Sequence, residues 1–221
     1  MGWTYPIAIG LLSLGIATAG AAPHSQPHAT TRATGCFGPL TPWPHPQAIC
    51  TFELGGTRFR ISDEGALERL AGGRAEKRVS LPLPKEMVLV GLDVADLGAD
   101  VLLVGEVADF EYGGGLLVCV DARTLRVKWH LDVPGFNLST GSIEDNRLYQ
   151  AGIGFLAAVD LRKGTFVWIH RGLYDEVTDS FNAFETPEIR PTEVLFRERR
   201  VDGKPPRLIR VSKTDGAIHI E

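Results

Sequence analysis

Cysteine is scarce in this chain of 221 residues, with three in all, at positions 36, 50 and 119. No Cys-x-x-Cys occurs, which removes a thioredoxin-type redox motif and a structural zinc site built on paired thiolates. Excess positive charge is also missing. With a formal net charge of −4 and a pI of about 5.9, nothing in the composition attracts phosphate backbones, so no nucleic-acid partner is expected. Long apolar runs are missing too. The best candidate, Ile7 to Ala22, is sixteen residues rich in Gly, Ala and Thr, short for a hydrocarbon core of roughly 30 Å. No Gly-x-Ser-x-Gly nucleophile elbow is present. "EYGGGLL" lacks the Lys-Ser/Thr of a phosphate loop and reads as a flexible turn. "GIGFLA", Gly152 to Ala157, matches Gly-x-Gly-x-x-Ala only formally. A phosphate cradle needs a helix after the glycines, and a strand pattern follows here, so it reads as a hairpin turn.

What is present begins with an export pattern. The apolar stretch is followed by small residues, and Ala17/Ala19 and Ala19/Ala21 both fit small-x-small cleavage. Residues 1–21 therefore read as a signal peptide, and no stable membrane span is expected after its removal. Residues 22–50 form a proline-rich leader. In an exported chain, Cys36 and Cys50 would close a loop of about 15 residues, with a chain-entropy effect of roughly 3 kcal/mol. Cys119 lies between Val118 and Val120 and reads as a small buried hydrophobe.

From residue 51 to 221, short β-rich runs alternate with Gly, Asp and Asn clusters, the pattern of an all-β sandwich, barrel or propeller. One short helix is tempting at Asp63–Glu76, although Gly72 and Gly73 interrupt it. Repetition separates the candidates. "LLVCVDARTLRVKWHL" and "FLAAVDLRKGTFVWIH" align on Val120-Asp121 and Val159-Asp160, 39 residues apart. Trp129 and Trp168 each follow nine residues after their own valine. A weaker copy aligns Val211 with Val159, Gly216 with Gly164 and Ile220 with Trp168, after an insertion at Leu173–Pro191. A strand and turn from Thr57 make half a further unit. Physically, each apolar run suits a strand buried on both faces. Asp160 and Gly164 make the reversal, and Trp168 is placed to wedge against the neighbouring sheet. Leu125 stands where Gly164 stands in the next copy, so a different turn type is expected there.

These stretches resemble the quinoprotein-type, PQQ-like β-propeller repeat, whose blades end in a similar Leu-Asp-x-x-x-Gly-x-x-x-Trp. The resemblance implies a β-propeller-like repeat of four-stranded blades, about four in number, forming a small or incomplete propeller. It implies that the tryptophan packs between blades. Some members are alcohol or glucose dehydrogenases using pyrroloquinoline quinone and calcium. Those enzymes are far longer, and the alcohol dehydrogenases also pair adjacent cysteines beneath the cofactor. This chain has no such pair, so its likeness is to the non-catalytic branch and no cofactor is expected. The functional analogue within the family is the propeller lipoprotein of bacterial outer-membrane protein assembly.

The remaining chemistry-bearing residues are few. His24, His28 and His45 lie in the leader, and His130 and His170 follow the repeat tryptophans. None has metal-ligand spacing, and no metal site is expected. The insertion collects Asp175 and Glu176 with Tyr174, Phe181 and Phe184, and reads as a polar loop with candidate aromatic anchors for a partner. The expectation is a periplasmic or secreted, non-enzymatic module that binds a protein partner or self-associates through open blade edges. A reduced quinoprotein-like or other periplasmic enzyme is the alternative.

Overall fold

A computed structural model describes residues 28–32, 49–109, 113–135, 137–173, 183–200 and 205–221. The leader contributes two short strands, β1 (His28–Ala29) and β2 (Thr31–Arg32). Four antiparallel sheets follow. The first is β3 (Ile49–Leu54), β4 (Thr57–Ser62), β5 (Ala66–Ala71) and β6 (Arg74–Ser80). The second is β7 (Val88–Asp96), β8 (Asp100–Ala108), β9 (Gly113–Asp121) and β10 (Val127–Val133). The third is β11 (Ser142–Glu144), β12 (Arg147–Gly152), β13 (Phe155–Asp160) and β14 (Thr165–Arg171). The fourth is β15 (Ala183–Phe184) and β16 (Glu188–Ile189), both paired with β17 (Glu193–Arg199), then β18 (Leu208–Ser212) and β19 (Ile218–Ile220). The chain is all-β, with four propeller-like blades and no helix among the described residues.

Alternation along the inner strands explains the stacking. On β8, Val101 and Leu103 face the first blade, while Leu102 and Val104 face the third. On β13, Ala157 and Val159 face the second blade, while Leu156 and Ala158 face the fourth. Such strands have no polar face and must be covered on both sides. Among the described residues, three cores therefore join blades one to two, two to three and three to four, and none joins the fourth to the first. The ring is not closed.

Its two open faces are polar. On the first blade, Thr51, Arg60, Glu68 and Arg78 form one cross-strand ladder on the face away from the core. Arg60 Nε donates to Glu68 Oε2 at 2.7 Å. On the fourth, Arg210 lies between the core residues Ile209 and Val211 and points the other way. Its guanidinium donates to Glu193 at 3.0 Å and Glu221 at 2.9 Å. Charged terminal faces are how stacked-repeat proteins stop without a further repeat. Light scattering should therefore report a monomer at micromolar concentration; a stable dimer would show that these polar faces do not prevent association.

Several expectations change here. The stretch Asp63–Glu76 is not a helix, because Gly72 and Gly73 both take positive φ (56° and 81°) and fold it into the β5–β6 hairpin. The half unit from Thr57 is a complete four-stranded blade. Gly113, Gly114 and Gly115 are not a turn but the start of β9, paired with Ala108, Val107 and Glu106. A Cβ at Gly115 would lie 2.2 Å from Val133 Cγ2, so close packing is what requires glycine there. "GIGFLA" is a hairpin, with Gly154 at φ 75° between β12 and β13.

Candidate interaction surface

The repeat residues lie at the blade seams. In the third blade, Asp160 Oδ1 accepts from the Arg162 and Lys163 amides at 2.9 and 3.1 Å, and Gly164 N donates to Asp160 O at 2.8 Å. Gly164 sits at φ 66°. In the second, Asp121 Oδ1 accepts from Thr124 N at 2.6 Å and Thr124 Oγ1 at 2.7 Å. The Thr124 hydroxyl, then its amide, hold the Asp121 carboxyl below the ordinary aspartate value. Leu125 N donates to Asp121 O at 2.8 Å and Leu125 has φ 57°. The turn type is therefore the same in both copies, contrary to the expectation from sequence. A left-handed leucine costs roughly 1–2 kcal/mol. Leu125 is 2% exposed in the first core, and burying a leucine contributes about 1.5–3 kcal/mol. Burial outweighs strain. The first blade has no tryptophan, and the Leu125 side chain fills the seam there instead.

Each tryptophan packs on the turn of the next blade. A Cβ on Gly164 would meet Trp129 Cδ2 at 2.4 Å, and one on Gly216 would meet Trp168 Cγ at 2.8 Å. Trp129 Nε1 also donates to Leu161 O at 2.9 Å. A one-residue bulge precedes both rings: Val120 pairs Val127 but Cys119 pairs Trp129, and Val159 pairs Phe166 but Ala158 pairs Trp168. The bulge turns the ring outward. The fourth blade has none. Its register sets His219 opposite Arg210 and Ile220 opposite Ile209, so Ile220 points back along the stack and does not occupy the tryptophan position. Val211 is fully buried, as Val159 is.

The insertion supplies the first strands of the fourth blade. Phe184 is 2% exposed in the third core, so it packs inside and is not offered to a partner. Tyr174, Asp175, Glu176 and Phe181 lie outside the described residues, as do residues 1–27 and Cys36. Cys50 is buried in the first core. Burial, then the negative charge of Asp100, pushes the Cys119 thiol up to about 11, an inert packing residue.

The leader strands were not legible in the sequence. β1 pairs with β11 through His28↔Ile143 and Ala29↔Ser142, and β2 pairs with β7 through Thr31↔Val94 and Arg32↔Asp93. One short extended segment thus crosses between the edges of the third and second blades. Thr30 sits at the crossing, 3% exposed. Its amide donates to Gly141 O at 2.8 Å, and its hydroxyl accepts from Gly141 N at 2.8 Å and donates to Asp93 Oδ2 at 3.2 Å. Behind Gly141 lies Gln150, fully buried, whose Nε2 donates to Ser139 O and Ala151 O at 2.5 and 3.1 Å. A polar seam of Thr30, Asp93, Ser139 and Gln150 is therefore built between two apolar layers. Among the described residues, no three His, Cys, Asp or Glu side chains gather in one place. No described helix is long and apolar enough to cross a membrane.

No known protein family matches the chain, and no curated protein does. Among solved structures it is similar to BamB from Moraxella catarrhalis, at 16% identity and a TM-score of 0.37 over 75% of this chain. The match spans 60% of that protein's length.

Proposed function

We propose that this chain is an exported, non-enzymatic propeller-type binding or scaffold module that contacts protein or envelope partners. One observation carries the reading: the edges of two adjacent blades receive an extended segment by backbone pairing and read one of its side chains. Strand addition of this kind is a recurrent mode of protein recognition. The export pattern and the PQQ-like repeat support an envelope setting. The test is affinity capture of the mature chain from its native envelope. A partner recovered in fixed proportion, and rebound by the purified chain with saturation, is the expected result. Saturable binding of pyrroloquinoline quinone with calcium, accompanied by dye-linked alcohol oxidation, would replace this reading with the enzymatic one.

A further inference from the structure

We infer that the seam between the second and third blades is a docking site for an extended partner segment bearing a threonine or serine, held in cis by leader residues His28–Arg32. The inference rests on the reading of the chain as a binding module, and names the segment such a module takes.

The geometry separates affinity from selectivity. Backbone pairing at His28–Ala29 and Thr31–Arg32 is indifferent to side chains, and His28, Ala29 and Thr31 are exposed. Thr30 is the residue whose side chain is read. Its hydroxyl lies between the Gly141 amide and the Asp93 carboxylate, and Asp93 is 2% exposed. A site built around a hydroxyl rejects an isostere that lacks one, because its own buried polar groups then lose their partner. Valine has the shape of threonine without that donor. Gly141 completes the cradle, since a Cβ there would lie 2.6 Å from both Gln150 Oε1 and Leu148 Cδ1.

β7 runs nine residues, from Val88 to Asp96, yet among the described residues the leader pairs only with Val94 and Asp93. Two pairs on each blade are a weak hold, maintained by covalent attachment and hence high effective concentration. A segment from another chain that offers the same backbone groups and a hydroxyl competes with the cis segment for both blade edges.

The test uses the full chain and a labelled peptide of leader residues 26–34, followed by fluorescence anisotropy. Thr30→Val in the chain weakens the cis segment; Thr30→Pro, which also removes the amide bonded to Gly141, is the second variant. Both should bind the peptide with saturation, at least about tenfold tighter than the wild-type chain does. A peptide carrying valine at position 30 should bind about tenfold more weakly than the threonine peptide. No saturable binding to either variant, or equal binding of the two peptides, would overturn the inference. Loss of the folded β signal in both variants would overturn it as well, because the leader would then be a fixed clasp. Equal capture of a native partner by the wild-type and Asp93→Asn chains would leave the binding-module reading standing and overturn this inference alone.

Discussion

Trp168→Ala is expected to destabilise the chain by about 3–5 kcal/mol, the range for a buried aromatic truncated to alanine. Trp168 is 8% exposed. Its ring sits 6.2 Å from Tyr149, 6.3 Å from Phe196 in an edge-on arrangement, and 5.5 Å from His170. His170 Nε2 lies 2.7 Å from Gly216 O. The indole therefore lies between the third blade and the turn of the fourth, and its loss opens a cavity between elements no other core joins. Urea unfolding measures the effect, and a loss below about 1 kcal/mol would show that the ring is not a wedge. Conservative replacements sharpen the reading. Trp168 Nε1 has no hydrogen-bond partner among the described residues, so Trp168→Phe forfeits ring area only. Trp129→Phe also forfeits the bond to Leu161 O, worth about 1 kcal/mol.

The parts of this fold that were legible in sequence are those carried by local physics. Strands buried on both faces read as continuous apolar runs, and Asp160 with Gly164 announces a reversal by its own turn chemistry. What escaped depends on partners remote in sequence. Leu125 takes a glycine's conformation because the first blade, which lacks a tryptophan, leaves a space for its side chain. The first blade was read only as half a unit because Gly72-Gly73 makes a tighter reversal than the Asp-x-x-x-Gly of its neighbours. Ile220 was misplaced because a single bulge residue, present at Val167 and absent from β19, decides which way a side chain points. The leader segment carries no apolar alternation at all. Thr30 is fixed by Asp93 and Gly141, which stand 63 and 111 residues away, and no local pattern encodes such a bond.

The second large effect is expected at Glu198, in the charged stretch "RERRVDGKPPR". Glu198 is 1% exposed on β17. Its carboxylate accepts from Arg207 Nη2 at 2.6 Å and Arg207 Nε at 3.0 Å, and from Arg200 Nη1 at 3.4 Å. Arg207 Nη2 also donates to Leu173 O at 3.1 Å, so the pair ties the end of the third blade to the fourth. Burial alone pushes the Glu198 carboxyl up, but the hydrogen bonds and charge of Arg207, with Arg200 behind it, outweigh burial and hold it below the ordinary glutamate value. Glu198→Gln keeps the shape and removes the negative charge that faces two guanidinium groups, one of them 4% exposed. Breaking a buried pair in this way costs about 3–5 kcal/mol. Because the folded pKa is depressed, the carboxylate's contribution is complete above the unfolded value of about 4.3 and is lost as pH falls through the lower folded value. Urea melts of the wild type should therefore lose stability on acidification below that point, and the Gln variant should lose less over the same interval. Parallel acid profiles for the two chains would mean that Arg207 does not depend on this carboxylate, and that the fourth blade is held by its apolar core alone.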